Sequence, residues 1–100
     1  MATINITIEK NDGQMDESFC NAVNTITNDI KEQLKQNGYA MVYANKWWRA
    51  GDKFTVVGKA FKEAGYYCCL NYIPNVLQSL MVSKTPIGPA SGCMVTRQYI

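Results

Sequence analysis

Cations interleaved with indole rings are the residues in this sequence whose types and spacing best suit recognition chemistry. They begin with Asn45-Lys46-Trp47-Trp48-Arg49 and continue with Lys53, Lys59 and Lys62. Aromatic faces stack on unpaired bases while lysine and arginine neutralise phosphates, so such a surface suits single-stranded nucleic acid. Tryptophan and arginine also anchor protein interfaces, so it suits a protein partner as well. The alternative is that both tryptophans cover a sheet and the lysines solvate its edge.

A β-hairpin is the element predicted to bring these residues together. If residues 39–49 pair with residues 53–62, side-chain alternation directs one tryptophan inward and the other outward. The outward ring then lies between cations of both strands. The side chains predicted to contact a partner are Lys46, Trp47, Trp48, Arg49, Lys53 and Lys59.

The second half of the chain is also rich in tyrosine. Its tyrosines are Tyr39, Tyr43, Tyr66, Tyr67, Tyr72 and Tyr99. We expect most of these rings to pack on the sheet while the hydroxyl reaches water or a partner. A cluster of them left exposed would instead mark a recognition face.

Catalytic chemistry has less support than binding. Proton transfer near neutral pH usually relies on histidine, and this chain has none. Serine, threonine and cysteine nucleophiles therefore lack their common activator. The acids are sparse and lie mostly on the polar face of a predicted helix, where solvation and capping account for them. We predict that the chain is not an enzyme and has no catalytic or cofactor-binding residues.

Two glycine-bearing stretches could be mistaken for phosphate sites. Val57-Gly58-Lys59-Ala60 lacks the upstream glycine and the serine or threonine of a Walker loop. Residues 88–92 contain a proline, which removes a donor, and they lead into a strand rather than a helix. We predict a plain connecting loop there.

The four cysteines, Cys20, Cys68, Cys69 and Cys93, show no Cys-x-x-Cys spacing. Neighbours on a strand point to opposite faces, so Cys68 and Cys69 could not easily share one metal. We predict reduced cysteines that pack as small hydrophobic residues, with neither a metal nor a disulfide.

One long amphipathic helix, predicted over residues 15–37, organises the chain. Its apolar residues recur at steps of three and four, and Gly38 offers a left-handed end. They are Met15, Phe19, Ala22, Val23, Ile26, Ile30 and Leu34. Such a helix must bury this stripe, most economically on a sheet.

Five stretches are predicted to supply the strands of that sheet. Residues 54–62 also show helical steps, but three successive β-branched residues and an interior glycine favour a strand. Residues 66–73 are apolar on both faces, which indicates a central strand. Pro74 suits the first turn of a short helix over 75–82, and residues 83–92 form a loop. The predicted strands are 3–9, 39–44 with a continuation through the tryptophans, 54–62, 66–73 and 93–100.

The predicted architecture is a single α+β domain over residues 1–100. Hydrophobic residues make up 47% and charged residues 18%, which excludes a disordered chain. We expect a mostly antiparallel sheet of about four to five strands with helix 15–37 on one face and a second helix over 75–82.

The charge is unevenly distributed along the chain. Acids outnumber lysines up to Asn37, and cations outnumber acids from Gly38 onward, which predicts a basic patch beside an acidic one. We expect no signal peptide, because a basic start followed by an apolar block is missing. No run approaches the ~20 apolar residues of a membrane span, so the predicted compartment is the cytoplasm.

The function hypothesis is a small non-enzymatic binding module that acts by protein–protein interaction. A chain of this size without histidine or motifs suits a phage or mobile-element inhibitor of a host factor, of the anti-CRISPR or another anti-defence type. The first alternative is a single-stranded nucleic-acid-binding protein that uses the basic aromatic hairpin. The second is a self-associating structural or assembly subunit, joined through a sheet edge or the carboxy-terminal strand.

Overall fold

The computed structural model describes residues 17–90 and 94–100. Within them, two helices pack on one face of a four-stranded antiparallel sheet, which confirms the α+β prediction. The predicted strand over residues 3–9 lies outside the described residues. The elements in chain order are α1 (Glu17–Asn37), β1 (Tyr39–Tyr43), a 3₁₀ turn (Ala44–Lys46), α2 (Ala50–Glu63), β2 (Tyr67–Tyr72), β3 (Leu77–Ser83) and β4 (Thr96–Tyr99).

Helix α1 forms where the apolar stripe predicts it. Val23, Ile26, Ile30 and Leu34 are buried against the sheet and α2. Gly38 ends the helix with φ of 80°, and its N–H donates to the Leu34 carbonyl at 2.9 Å. The left-handed stop predicted from the glycine is therefore confirmed.

The strand order in the sheet is β1-β3-β2-β4, so β2 is an interior strand as predicted. Alternation along each strand directs one set of side chains toward the helices, among them Val42, Leu70, Leu80 and Val82. Helix α1 covers β1, and α2 covers β2 and β3. The core lies between the two helices and this face of the sheet.

The predicted strand over residues 54–62 is wrong, because these residues belong to α2. Phe54, Val57 and Phe61 follow one another at helical steps, and all three are fully buried. Burying three such side chains against the core outweighs the small helix penalty of the β-branched residues. At Gly58, an added Cβ would meet the end of the Ile100 side chain, which would then have to shift.

The predicted short helix over residues 75–82 is also wrong, because β3 occupies Leu77–Ser83. Leu80 and Val82 face the helices, and Ser79 and Met81 alternate with them on the opposite face. Strands β1 and β2 pair with β3 on its two sides and satisfy its backbone groups. Pro74 lies in the turn of the β2–β3 hairpin instead of starting a helix.

Two other predicted boundaries are shifted. Strand β1 ends at Tyr43 and does not continue through the tryptophans. The carboxy-terminal strand predicted over 93–100 is confirmed, with the shorter bounds of β4. Residues 84–90 form the predicted loop, and residues 91–93 lie outside the described part of the chain.

A side chain of α1 occupies the outer edge of β1. The Gln33 side-chain N–H donates to the Met41 carbonyl at 3.2 Å, and the Met41 N–H donates to the Gln33 side-chain oxygen at 3.0 Å. A neighbouring strand makes the same pair of bonds in an antiparallel ladder. Gln33 therefore closes the centre of this edge to strand pairing.

We expect Gln33→Met to lower the free energy of unfolding by about 1–3 kcal/mol, because two part-buried hydrogen bonds are lost. The opened edge should also increase association between chains. Chemical denaturation and light scattering measure these two effects. The matched control is Gln36→Met, since Gln36 bonds to Glu32 on the exposed side of the same helix. Equal behaviour of the two variants would show that the edge does not depend on Gln33.

We expect Gly38→Ala to cost about 1 kcal/mol of stability, because an alanine at φ of 80° is strained. No atom of the described residues lies within 4 Å of the added Cβ, so the expected loss comes from the backbone strain. The control is Gly51→Ala in α2, where the nearest atom is at an ordinary 3.7 Å. Thermal unfolding should show a loss for the first variant and none for the second.

Candidate binding surfaces

The hairpin predicted to assemble the basic aromatic residues does not form. Strand β1 pairs with β3, and residues 53–62 belong to α2. Trp47, Trp48 and Arg49 instead form the turn that connects the 3₁₀ turn to α2. The local contacts of this turn therefore decide which predicted side chains reach solvent.

The two tryptophans have opposite environments. Trp47 is partly buried and packs against the core, whereas Trp48 is 84% exposed. One ring inward and one outward is the predicted arrangement, although a turn and not a strand produces it. Arg49 precedes α2 in the left-handed region, with φ of 52°, and its guanidinium pairs with Asp52 at 3.0 Å. Both partners are exposed, so this pair contributes little to stability.

Lys53 lies inside the fold and not on the predicted surface. Its side chain is buried, and its ammonium group donates to the Trp48 carbonyl. The same group lies 5.6 Å from the centroid of the Phe19 ring, within cation–π range. Lys53 therefore links the start of α2 to the preceding turn and to α1, and it is not offered to a partner by this surface.

The cations that remain exposed do not form a continuous basic patch. Lys59 follows Asp52 by seven residues, roughly 10 Å along the same side of α2. Glu63 lies one turn beyond Lys59, so acids flank it at both ends. Of the predicted site, Lys59 is exposed but lies apart on α2, and Lys46, Trp48 and Arg49 form a small exposed group that we call the tryptophan turn.

A second surface lies on the face of the sheet opposite the helices. Its tyrosines are between 46% and 55% exposed, and they alternate with residues of the core. The register places Tyr39 and Tyr67 on either side of Ser83 in one row across three strands. We call this surface the tyrosine face, and its outer side chains are Tyr39, Met41, Tyr43, Tyr67, Met81, Arg97 and Tyr99.

The tyrosine face contains no carboxylate among the described residues. The described acids all lie on the two helices, and they are Glu17, Asp29, Glu32, Asp52 and Glu63. Arg97 lies on the face itself, and Lys84 follows the end of β3. The helix layer is therefore mixed in charge, whereas the tyrosine face is weakly positive.

A buried polar network holds Arg97 in place on this face. The Asn71 side chain donates to Ser79 Oγ at 3.1 Å, and both residues are buried. The Asn71 side-chain oxygen accepts from Arg97 Nε at 3.2 Å and from the Cys69 thiol at 3.8 Å. Because Asn71 is fixed on both sides, the guanidinium has a defined position before any partner arrives.

The loop over residues 84–90 lies against part of the tyrosine face. Arg97 Nη1 donates to the Gly88 carbonyl, and the Tyr99 hydroxyl donates to the same oxygen at 2.9 Å. A cleft of about 290 Å³ lies between this loop and the sheet. Tyr39, Met81 and Ser83 line its floor with Arg97 beside them.

The sequence shows how many tyrosines the second half of the chain contains, but not which of them lie on the same face of the sheet. Tyr66 and Tyr72 pack against the core, whereas the other four lie on the tyrosine face. Side-chain alternation along β1 and β2 could have distinguished the core-facing tyrosines from the outward-facing ones. Because β3 was predicted to be a helix, however, the sequence did not show that β1 and β2 lie on either side of one strand. Asn71, Ser79 and Arg97 carry no local motif, and their meeting depends on cross-strand register.

The two cysteines of β2, Cys68 and Cys69, are poor nucleophiles in this fold. Burial, with a smaller contribution from Cys69, raises the pKa of the Cys68 thiol to about 11. Burial also raises the pKa of Cys69, and Arg97 partly opposes this shift. Within residues 17–90 and 94–100, no group of three or more His, Cys, Asp or Glu residues could hold a metal. Neither described helix is long and apolar enough to cross a membrane.

We expect Cys68 and Cys69 to resist alkylation by iodoacetamide in the folded chain at pH 8. With a pKa of about 11, about one Cys68 thiol in a thousand is ionised at that pH. Reactivity should rise as the pH approaches 11, and unfolding in guanidinium should restore it at pH 8. Peptide mass spectrometry after labelling identifies each cysteine. Rapid labelling of Cys68 in the folded chain at pH 8 would contradict this account.

The two surfaces are the features of this chain from which a function can be inferred. The tyrosine face is broad and fixed by the sheet, whereas the tryptophan turn is small and formed by local contacts. Comparison with protein-family models, with curated proteins and with solved structures found no match to the chain.

Proposed function

We propose that this chain is a small non-enzymatic binding module that recognises a protein partner through the tyrosine face. The observation that supports the proposal is the composition of that face. Protein interfaces are enriched in tyrosine, methionine and arginine and depleted of lysine, aspartate and glutamate. The strands of the tyrosine face present the first three types and, among the described residues, none of the last three.

The geometry of the face suits this role. Tyrosine rings have few rotatable bonds, so a partner can bury them at little entropic cost. Tyr39 and Tyr67 are held two strands apart, at roughly 10 Å, by the register of a sheet packed on two helices. Because the sheet already holds these tyrosines in place, binding does not have to include the entropic cost of ordering them, and this favours a higher affinity.

The tryptophan turn supports a second binding surface, with the residues first predicted from the sequence. Trp48 is largely exposed, and Arg49 beside it holds a left-handed conformation that costs about 1–3 kcal/mol in a residue other than glycine. Strain of this kind often accompanies functional turns. Lys46 remains exposed beside it, so single-stranded nucleic acid stays the alternative partner for this turn.

The remaining hypotheses differ in how well the fold suits them. Self-association through the β1 edge is disfavoured, because Gln33 occupies the centre of that edge. The outer edge of β4 is the better candidate for a second copy. Inhibition of a host defence factor by a phage or mobile-element protein stays a prediction, since a surface of this composition suits many protein partners.

The test is site-specific photo-crosslinking in living cells. The photoreactive residue p-benzoylphenylalanine replaces Tyr67 on the tyrosine face, Trp48 in the tryptophan turn, or the exposed Asn28 of α1 as a control. We expect a discrete protein adduct from position 67 and none from position 28. The adduct should disappear when Tyr39→Ala and Tyr99→Ala are combined with the label, because the anchors of the face are then removed.

Each other outcome identifies a different surface or partner. An adduct from position 48 without one from position 67 moves the interface to the tryptophan turn. An adduct that contains nucleic acid supports the alternative function. No adduct at position 67 in cells that express a folded chain would falsify the proposal for the tyrosine face. Circular dichroism of each variant checks that it is folded.

A further inference from the structure

The cleft between the loop 84–90 and the sheet is lined by apolar residues and by one cation, Arg97. Tyr39, Met81 and Ser83 line this open cleft on the side of the sheet, and residues 85–88 line it on the side of the loop. Ligand sites are commonly concave and mostly apolar, with a few polar groups that fix orientation. Arg97 is the charged group that lines this cleft.

Two of the three nitrogens of the Arg97 guanidinium are held by hydrogen bonds within the fold. Its Nε donates to Asn71 and its Nη1 to the Gly88 carbonyl. No described carboxylate pairs with it, and no described residue accepts a hydrogen bond from Nη2. A planar guanidinium with open donors is suited to bind a carboxylate in a bidentate arrangement.

The charges around the cleft favour an anionic group of the partner. The described acids lie on the helices, on the far side of the sheet from the tyrosine face. A carboxylate approaching Arg97 therefore meets no described like charge on this face. Asn71 and Ser79, both buried, fix the arginine, so binding does not require it to be ordered first.

We propose, on the basis of the protein-binding function above, that this cleft receives an acidic segment of the partner protein. An apolar side chain of that segment lies over Met81 and Tyr39, and the carboxylate of a neighbouring aspartate or glutamate binds Arg97. The cleft thereby selects a partner in which an apolar residue stands next to an acid. The four tyrosines supply contact area around this selective contact.

The probes are two capped dipeptides that differ in one group, N-acetyl-Leu-Glu-amide and N-acetyl-Leu-Gln-amide. Titration of the ¹⁵N-labelled chain, followed by nuclear magnetic resonance, reports on the Arg97 Nε–H and the amides of residues 84–90. We expect the glutamate peptide to bind at least about tenfold more tightly, since a hydrogen bond to a charged group is among the stronger polar contacts. This preference should disappear in Arg97→Gln. It should weaken in Arg97→Lys, which keeps the positive charge but lacks the planar guanidinium that binds a carboxylate through two hydrogen bonds.

A control variant separates the fixed guanidinium of Arg97 from the general positive charge of this region. Lys84→Gln removes an exposed cation near the loop that does not line the cleft, and it should keep the preference. A loss of preference in Lys84→Gln equal to that in Arg97→Gln would mean that general charge, and not carboxylate binding by Arg97, explains the effect.

Three results overturn the inference. The first is equal affinity for the two peptides. The second is the absence of any shift in the cleft with either peptide. The third is a short oligothymidylate that shifts the same resonances with a steep salt dependence while the peptides do not, which would assign the cleft to phosphate. Crosslinking at position 67 does not depend on Arg97, so the protein-binding function can stand if the cleft assignment fails.

Discussion

Both described helices lie on the same face of the sheet, and this arrangement determines the rest of the molecule. Each strand must direct its most apolar residues toward α1 and α2, and strict alternation then fixes the remaining residues on the opposite face. Val42, Leu70 and Leu80 satisfy the first requirement. The half-exposed tyrosines are the consequence of the second, and a one-residue slip in any strand would exchange the two sets.

The parts of the fold with clear periodicity could be predicted from the sequence. The stripe of α1, the left-handed Gly38 and the interior position of β2 follow from patterns within one segment. The two misassigned segments, α2 and β3, are short and apolar, and their spacing fits both a helix and a strand. Whether each becomes a helix or a strand depends on neighbours distant in sequence, since α2 packs on α1, β2 and β3, and β1 and β2 pair with β3.

The candidate site was harder to predict than the fold for the same reason. The basic aromatic segment stands out because its residues are adjacent in sequence, yet the fold buries Lys53 and places acids on both sides of Lys59. The tyrosine face has no signal within any one segment, because its residues come from four strands. Composition indicates that aromatic residues are plentiful, but cross-strand register decides which of them are neighbours.

The hydrogen-bond network of Asn71, Ser79 and Arg97 is the strongest argument that the tyrosine face binds a partner. Apolar residues of similar size at Asn71 and Ser79 would pack without the cost of desolvating polar groups, and such replacements are often neutral or stabilising. Stability alone therefore does not explain why an interior strand position holds a buried asparagine. The hydrogen bonds of Asn71 fix the guanidinium of Arg97 at the cleft and link it to Ser79 in the centre of the sheet. A network that orients a cation with no described carboxylate partner, toward a cleft without acids among the described residues, is the arrangement expected of a recognition site and is not required by a sheet that only has to fold.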